Sequence, residues 1–226
     1  VKVSNARMSD EDDYYLRFTG ENNLDGAGSW SECAEPDITD TLTNMPLVIQ
    51  RTGTTTFTVK QFSYQPRRVG DNNTNPMPTF VGKRINKVLF FRNRLAILAG
   101  ENVILSRPGT LGEPDFFIES ALTVSASDPI DISSASMFPS DLFDGIQINA
   151  GLLVFSTNQQ FLLSTDDTVL NPDTAKLRSV STFNYNKDIP PISLGTTVAY
   201  LDNSGKFSRL NEMANTSREG EPDVVE

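Results

Sequence analysis

Read along its length, the chain alternates short apolar runs with polar breaks, and it rarely repeats at the helical period. The main runs are YYLRF (14–18), TTFTVKQFSY (55–64), KVLFF (87–91), RLAILA (94–99), NVILS (102–106), LLVFS (152–156), QFLLS (160–164), KLRSV (176–180), TVAYL (197–201) and KFSRL (206–210). Their β-branched and aromatic side chains suit a pleated surface, and the Asn, Asp, Gly, Ser and Pro between them form turns, so each run predicts a strand. No stretch sustains apolar residues at i, i+3, i+4 and i+7. The pattern predicts an all-β protein of antiparallel hairpins and meanders.

Three of these stretches share a layout. VLFF-RNR-LAIL, LLVF-STNQ-QFLL and VAYL-DNSG-KFSRL each set an apolar strand, a polar turn and a second strand in sequence. Such turns tolerate left-handed backbone, so each unit predicts a tight hairpin, and the first continues through Gly100-Glu101-Asn102 into a third strand. Meanders recurring at roughly 45 to 65 residues resemble β-propeller blades, with a β-sandwich as the rival architecture. The expected organisation is a small N-terminal β region over 1–60 and a propeller-like meander region over 61–226. Between the units, RRVGDNNTNPMPTFVG (67–82) and SRPGTLGEPDFF (106–117) carry prolines that lack an N–H and restrict their predecessors, and both predict long loops. Loops of that length within a β domain are usually functional or interfacial.

Composition narrows the chemistry. The 226 residues include no histidine, which excludes His-dependent triads, imidazole metal sites and His proton shuttles within the segment. Cys33 is the single cysteine, so no internal disulfide or thiolate zinc cage can form and packing must supply stability. No run reaches 18 apolar residues and no basic-then-apolar leader precedes the first strand. The chain begins at Val1 and ends at EPDVVE, which suggests an internal fragment of a longer polypeptide.

The net charge of −10 is distributed in blocks. Residues 61–110 hold two acids and eight bases, whereas residues 111–175 hold ten acids and no base. Asymmetry of this kind can face a charged partner, and an acidic wall lets DNA pass without sticking, since phosphate affinity comes from Lys and Arg. The plainer reading is a solvated surface that maintains solubility.

Candidate chemistry is thin. Asp10-Glu11-Asp12-Asp13 could gather a hard cation, but it lacks the spaced ligands and turn glycine of a calcium loop and reads as a solvated acidic loop. GAGS (26–29) does not join a strand to a helix and reads as a turn. Asp115, Glu119, Asp128 and Asp131 could include an acid–base pair for glycoside hydrolysis, against which DPID (128–131) reads as a turn before a strand. Arg67, Arg68, Lys83, Arg84, Lys87, Arg92 and Arg94 lie close to Tyr64, Phe80, Phe90 and Phe91, a superficial nucleic-acid signature, but the aromatics alternate into strands as core residues do.

Taken in order, the series GDNNTNPMPTFVG, FFRNRL, ENVILSRPG, DFFIESAL, DPID and LLVFSTNQQFLL resembles the tail tubular protein B, or tail nozzle, family of short-tailed bacteriophages, from about residue 14 to about residue 210. The resemblance implies a structural virion component, not an enzyme. It implies a β-rich, multi-domain subunit of a homohexameric ring below the tail adaptor, next to tail fibres and enclosing the channel for genome ejection. No catalytic, metal or cofactor residues are expected. Arg67, Arg68, Lys83, Arg84, Arg92, Arg94 and Arg107 are the candidate interface set, able to pair with the acidic 111–175 block of a neighbour. The alternative is a carbohydrate-binding or carbohydrate-cleaving propeller acting on the bacterial envelope.

Overall fold

The computed structural model describes residues 1–4, 13–23, 25–109, 112–136, 139–214 and 223–225. Within them the protein is built from antiparallel β-sheets, as the apolar pattern predicts, with a single 3-10 turn at Glu21–Asn23. Strands β1 (Lys2–Val3), β2 (Tyr14–Gly20) and β3 (Gly28–Cys33) form an N-terminal sheet, and β4 (Leu47–Arg51) pairs with β5 (Phe57–Gln61) as a separate two-stranded ribbon.

Three four-stranded meanders follow in chain order. The first contains β6 (Ile85–Phe91), β7 (Arg94–Ala99), β8 (Asn102–Leu105) and β9 (Ile130–Ser133). The second contains β10 (Leu142–Ile148), β11 (Gly151–Ser156), β12 (Gln160–Thr165) and β13 (Ala175–Ser181). The third contains β14 (Ile192–Ser193), β15 (Thr197–Ser204), β16 (Phe207–Ala214) and β17 (Asp223–Val225). Strands β1, β3, β4, β10, β14 and β17 are absent from the sequence reading. Each is short, polar or interrupted by glycine, so its pairing partner defines it better than its own composition does.

The meanders stack face to face, and this explains the unbroken apolar runs Leu95–Ala99 of β7 and Leu152–Phe155 of β11. On β7, Leu95, Ile97 and Ala99 pack with Met45, Phe80 and Phe116, while Ala96 and Leu98 turn the other way. That second side joins Val103, Leu105 and Ile130 to Leu142, Leu152, Val154, Phe161 and Leu163 of the next meander. Leu153 and Phe155 of β11 then face Tyr185, Val198, Tyr200 and Met213. A strand covered on both faces cannot alternate apolar with polar, because either parity would bury polar groups.

The hairpin turns are tighter than their sequences suggest. Phe91 pairs with Arg94, leaving two turn residues, Arg92 (φ 48) and Asn93 (φ 61), in the left-handed pair that matches strand twist. In the third meander the polar stretch Asp202-Asn203-Ser204 belongs to β15, since Asp202 pairs with Arg209 across the ladder and their side chains form an ion pair of 2.8 Å. At the start of β11, Gly151 is required by close approach, because a Cβ there would lie 2.1 Å from the carbonyl oxygen of Leu163.

Candidate assembly interface

The loop between the ribbon and the first meander is organised by one aspartate. Asp71 accepts bonds at Oδ1 from the N–H of Asn73 (2.9 Å), the N–H of Thr74 (2.9 Å) and the Thr74 hydroxyl (3.1 Å). Burial alone would raise its pKa, but these donors outweigh burial and hold the carboxyl below the usual value. Gly70 precedes it at φ +72, where a Cβ would meet Thr74 Oγ1 at 2.6 Å. Asn75 closes the loop by donating to the Val69 carbonyl (2.9 Å) and accepting from the N–H of Ile118 (3.2 Å). The N-terminal sheet is tied in here. Tyr15 donates from its hydroxyl to Glu35 (3.0 Å), and the N–H of Glu35 donates to the Gly70 carbonyl (2.9 Å).

The candidate basic residues divide into internal and external groups. Arg94 is only 2% exposed and its guanidinium donates to four carbonyls: Ser106 (2.9 Å) and Asp128 (2.7 Å) through Nη1, Ala126 (3.0 Å) and Leu170 (3.2 Å) through Nη2. Burial lowers its pKa; nearby Asp128 opposes that shift and Arg107 adds to it. Arg67, also 2% exposed, donates to Asn72 Oδ1 (2.9 Å) and lies 5.5 Å from the centre of the Phe117 ring. Its pKa is likewise lowered by burial, against the pull of Asp71, Asp40 and Glu35.

Arg68 and Arg107 already meet the acidic block of their own chain. Both reach the buried Asp115, at 2.8 and 3.5 Å, and Arg107 also pairs with Glu119 at 2.6 Å. Asp115 Oδ1 accepts the N–H of Phe117 (3.0 Å), so one carboxylate fixes both the loop and its cations. Lys87 similarly pairs with Asp144 at 2.9 Å. Lys83, Arg84 and Arg92 are exposed. The candidate set is thus not a single patch: two members are buried, two are partly committed within the chain, and three face outward.

The carboxylates considered for hydrolysis have structural positions. Asp128 is buried, with its oxygens accepting from the N–H groups of Ser125 (2.8 Å) and Glu119 (3.3 Å). Asp131 on β9 accepts from the N–H (2.8 Å) and hydroxyl (2.8 Å) of Thr79 and from Asn102 (3.0 Å). These contacts make DPID a turn leading into a strand, the plainer of the two readings. In the acidic run at the N-terminus, Asp10, Glu11 and Asp12 lie outside the described residues, and Asp13 pairs with Lys2 at 2.7 Å. GAGS ends in β3, whose Trp30 packs on Phe18 of β2 with ring centroids 5.2 Å apart.

A stack of antiparallel meanders, in which buried charged side chains hold loops to sheets, defines an all-β protein. The sequence matches the family described as bacteriophage nozzle protein over residues 1–225, and the chain belongs to that family. It is similar to the tail tubular protein gp12 of Escherichia phage T7, with 30% identity over 213 residues, 93% of this chain and 26% of that protein. The chain therefore spans about a quarter of the length of that curated relative. The family is a structural component of the virion tail, not an enzyme, and its members are built into the tail assembly.

Proposed function

We propose that this segment is part of the wall of a homohexameric tail nozzle through which the phage genome passes into the host. The observation that carries this reading is the run of three consecutive four-stranded meanders sharing cores face to face, in a chain of the nozzle family. Such sheets are the units of a β-propeller. In the third meander, Ile192, Leu194 and Leu210 stay exposed, which suits coverage by a further sheet. Region 1–60 serves as an attachment to this 61–226 body, joined through the Asp71 loop.

In the assembled tail the ring sits against the adaptor, tail fibres and, during infection, the host envelope. Duplex DNA passes without sequence-specific contacts, because the net charge of −10 repels phosphate. Among the candidate cations, Lys83, Arg84 and Arg92 are the ones available to a neighbour's acidic 111–175 block. Electron microscopy of the full-length protein tests the reading: a six-fold ring with an open centre is expected, and uniform monomers would sink it. Charge reversal at Lys83, Arg84 and Arg92 together is expected to weaken the ring, most visibly at low salt, where surface charges are least screened.

A further inference from the structure

The β4–β5 ribbon exposes apolar side chains. Leu47 and Ile49 on β4, and Phe57 and Val59 on β5, are 64%, 68%, 61% and 60% exposed. The register pairs Leu47 with Gln61, Ile49 with Val59 and Arg51 with Phe57, so all four apolar side chains lie on one face of the ribbon. An isolated two-stranded hairpin is marginal in water, and a contiguous apolar face on one marks a surface that meets another. The ribbon's charge restricts what that surface can be. Arg51, paired with Phe57, stands on the apolar face, Lys60, paired with Val48, stands on the opposite one, and no acidic residue occurs between Asp40 and Asp71.

A complementary surface lies elsewhere on the chain. Ile118, Leu122, Val124, Pro129 and Pro172 line a pocket whose rim includes Asp173. Leu122 and Val124 are 56% and 70% exposed, Asp173 is exposed, and Asp166 and Asp167 stand exposed on the loop just before it. Apart from Thr74, the pocket is lined from the 111–175 block, which contains no base. An apolar ladder ending in the cation Arg51 thus has, on the same polypeptide, an apolar pocket bordered by carboxylates.

We propose that the β4–β5 ribbon of one copy docks on this pocket of a second copy, with Ile49 and Val59 against Leu122 and Val124, and Arg51 facing Asp173. Donor and acceptor are different patches, so the contact is heterologous, and head-to-tail repetition of such a contact closes rings. Charge complementarity selects the second copy as the occupant and sets the direction of docking. The proposal rests on the ring reading above and names a contact within it.

The test uses the full-length chain and follows self-association by sedimentation and light scattering. Ile49→Asp with Val59→Asp is expected to weaken association by about tenfold or more, as is Leu122→Asp with Val124→Asp. Arg51→Glu weakens it, and adding Asp173→Arg restores it. These side chains are exposed, so circular dichroism and the thermal midpoint should stay unchanged. In a Cys33→Ser background, Val59→Cys with Val124→Cys is expected to give covalent multimers under oxidation, and neither single variant should. If the wild-type full-length chain does not associate, the ring reading falls and this contact with it. If the wild type associates, but the ribbon variants do so equally well or the cysteine pair stays uncrosslinked, the contact is overturned and the ring stands.

Discussion

At the scale of single residues, buried charge in this protein positions backbone. Arg94 has four carbonyl partners from three separate stretches of chain. Arg94→Met removes every donor and leaves those oxygens without their bonds, and about 3–5 kcal/mol of stability should be lost, as measured by denaturant unfolding. Arg92→Ala, two residues away and exposed, should change stability by less than about 0.5 kcal/mol. Gly70→Ala is expected to destabilise by about 1–3 kcal/mol, because the new Cβ strains a left-handed backbone and meets Thr74. The GDNNTNP motif was legible as a loop from its Asn and Pro content. That Asp71 organises it was not, because an Asx-type turn depends on which N–H groups the fold aims at the carboxylate.

At the scale of elements, the sequence made strand existence plain wherever an apolar run was unbroken, as in RLAILA and LLVFS. It concealed a strand that includes charge, such as β10 with Asp144, and the continuation of β15 past Leu201 through Asp202. The two-faced burial of β7 and β11 was visible only as apolar density, which does not say what covers each side. Leu152→Ala in the core between the first two meanders should cost about 2–5 kcal/mol, read from the shift in denaturation midpoint at constant slope. The basic cluster shows the limit of reading from neighbouring positions. Arg92 and Arg94 are two apart, but the turn points one to solvent and starts a buried strand with the other.

At the scale of the whole molecule, stability depends on pH at both extremes. Tyr15 and Tyr200 are pushed up from 10.0 to about 12, chiefly by burial, with Glu35 adding to the effect at Tyr15 and Asp202 at Tyr200. The unfolded chain loses these phenolic protons near pH 10 while the folded chain retains them, so the stabilisation is complete below pH 10 and is lost as pH rises toward 12. Thermal midpoints should fall over that window, and tyrosinate absorbance should grow in step with unfolding. Asp71 acts in the opposite sense: its lowered pKa gives stability that is present above the ordinary carboxylate value and lost on acidification. The uncovered ribbon and the third meander's exposed apolar residues were unreadable as surfaces from sequence. Leu47-x-Ile49 and Phe57-x-Val59 do alternate as half-buried strands would, but alternation does not reveal whether the apolar side is covered.

The Arg94 clamp also bears on the order in which the chain assembles. Its fourth acceptor, Leu170, lies 76 positions downstream, past the whole hairpin of β11 and β12. A nascent first meander already supplies three of these carbonyls, and the guanidinium at its edge keeps its remaining donor in water until the second meander emerges and docks. Long-range closure of this kind slows folding, and it favours a pause in which the early sheet remains soluble until its neighbour arrives. An Arg94→Met chain, having an apolar group at that edge, should aggregate during synthesis before its equilibrium instability becomes measurable.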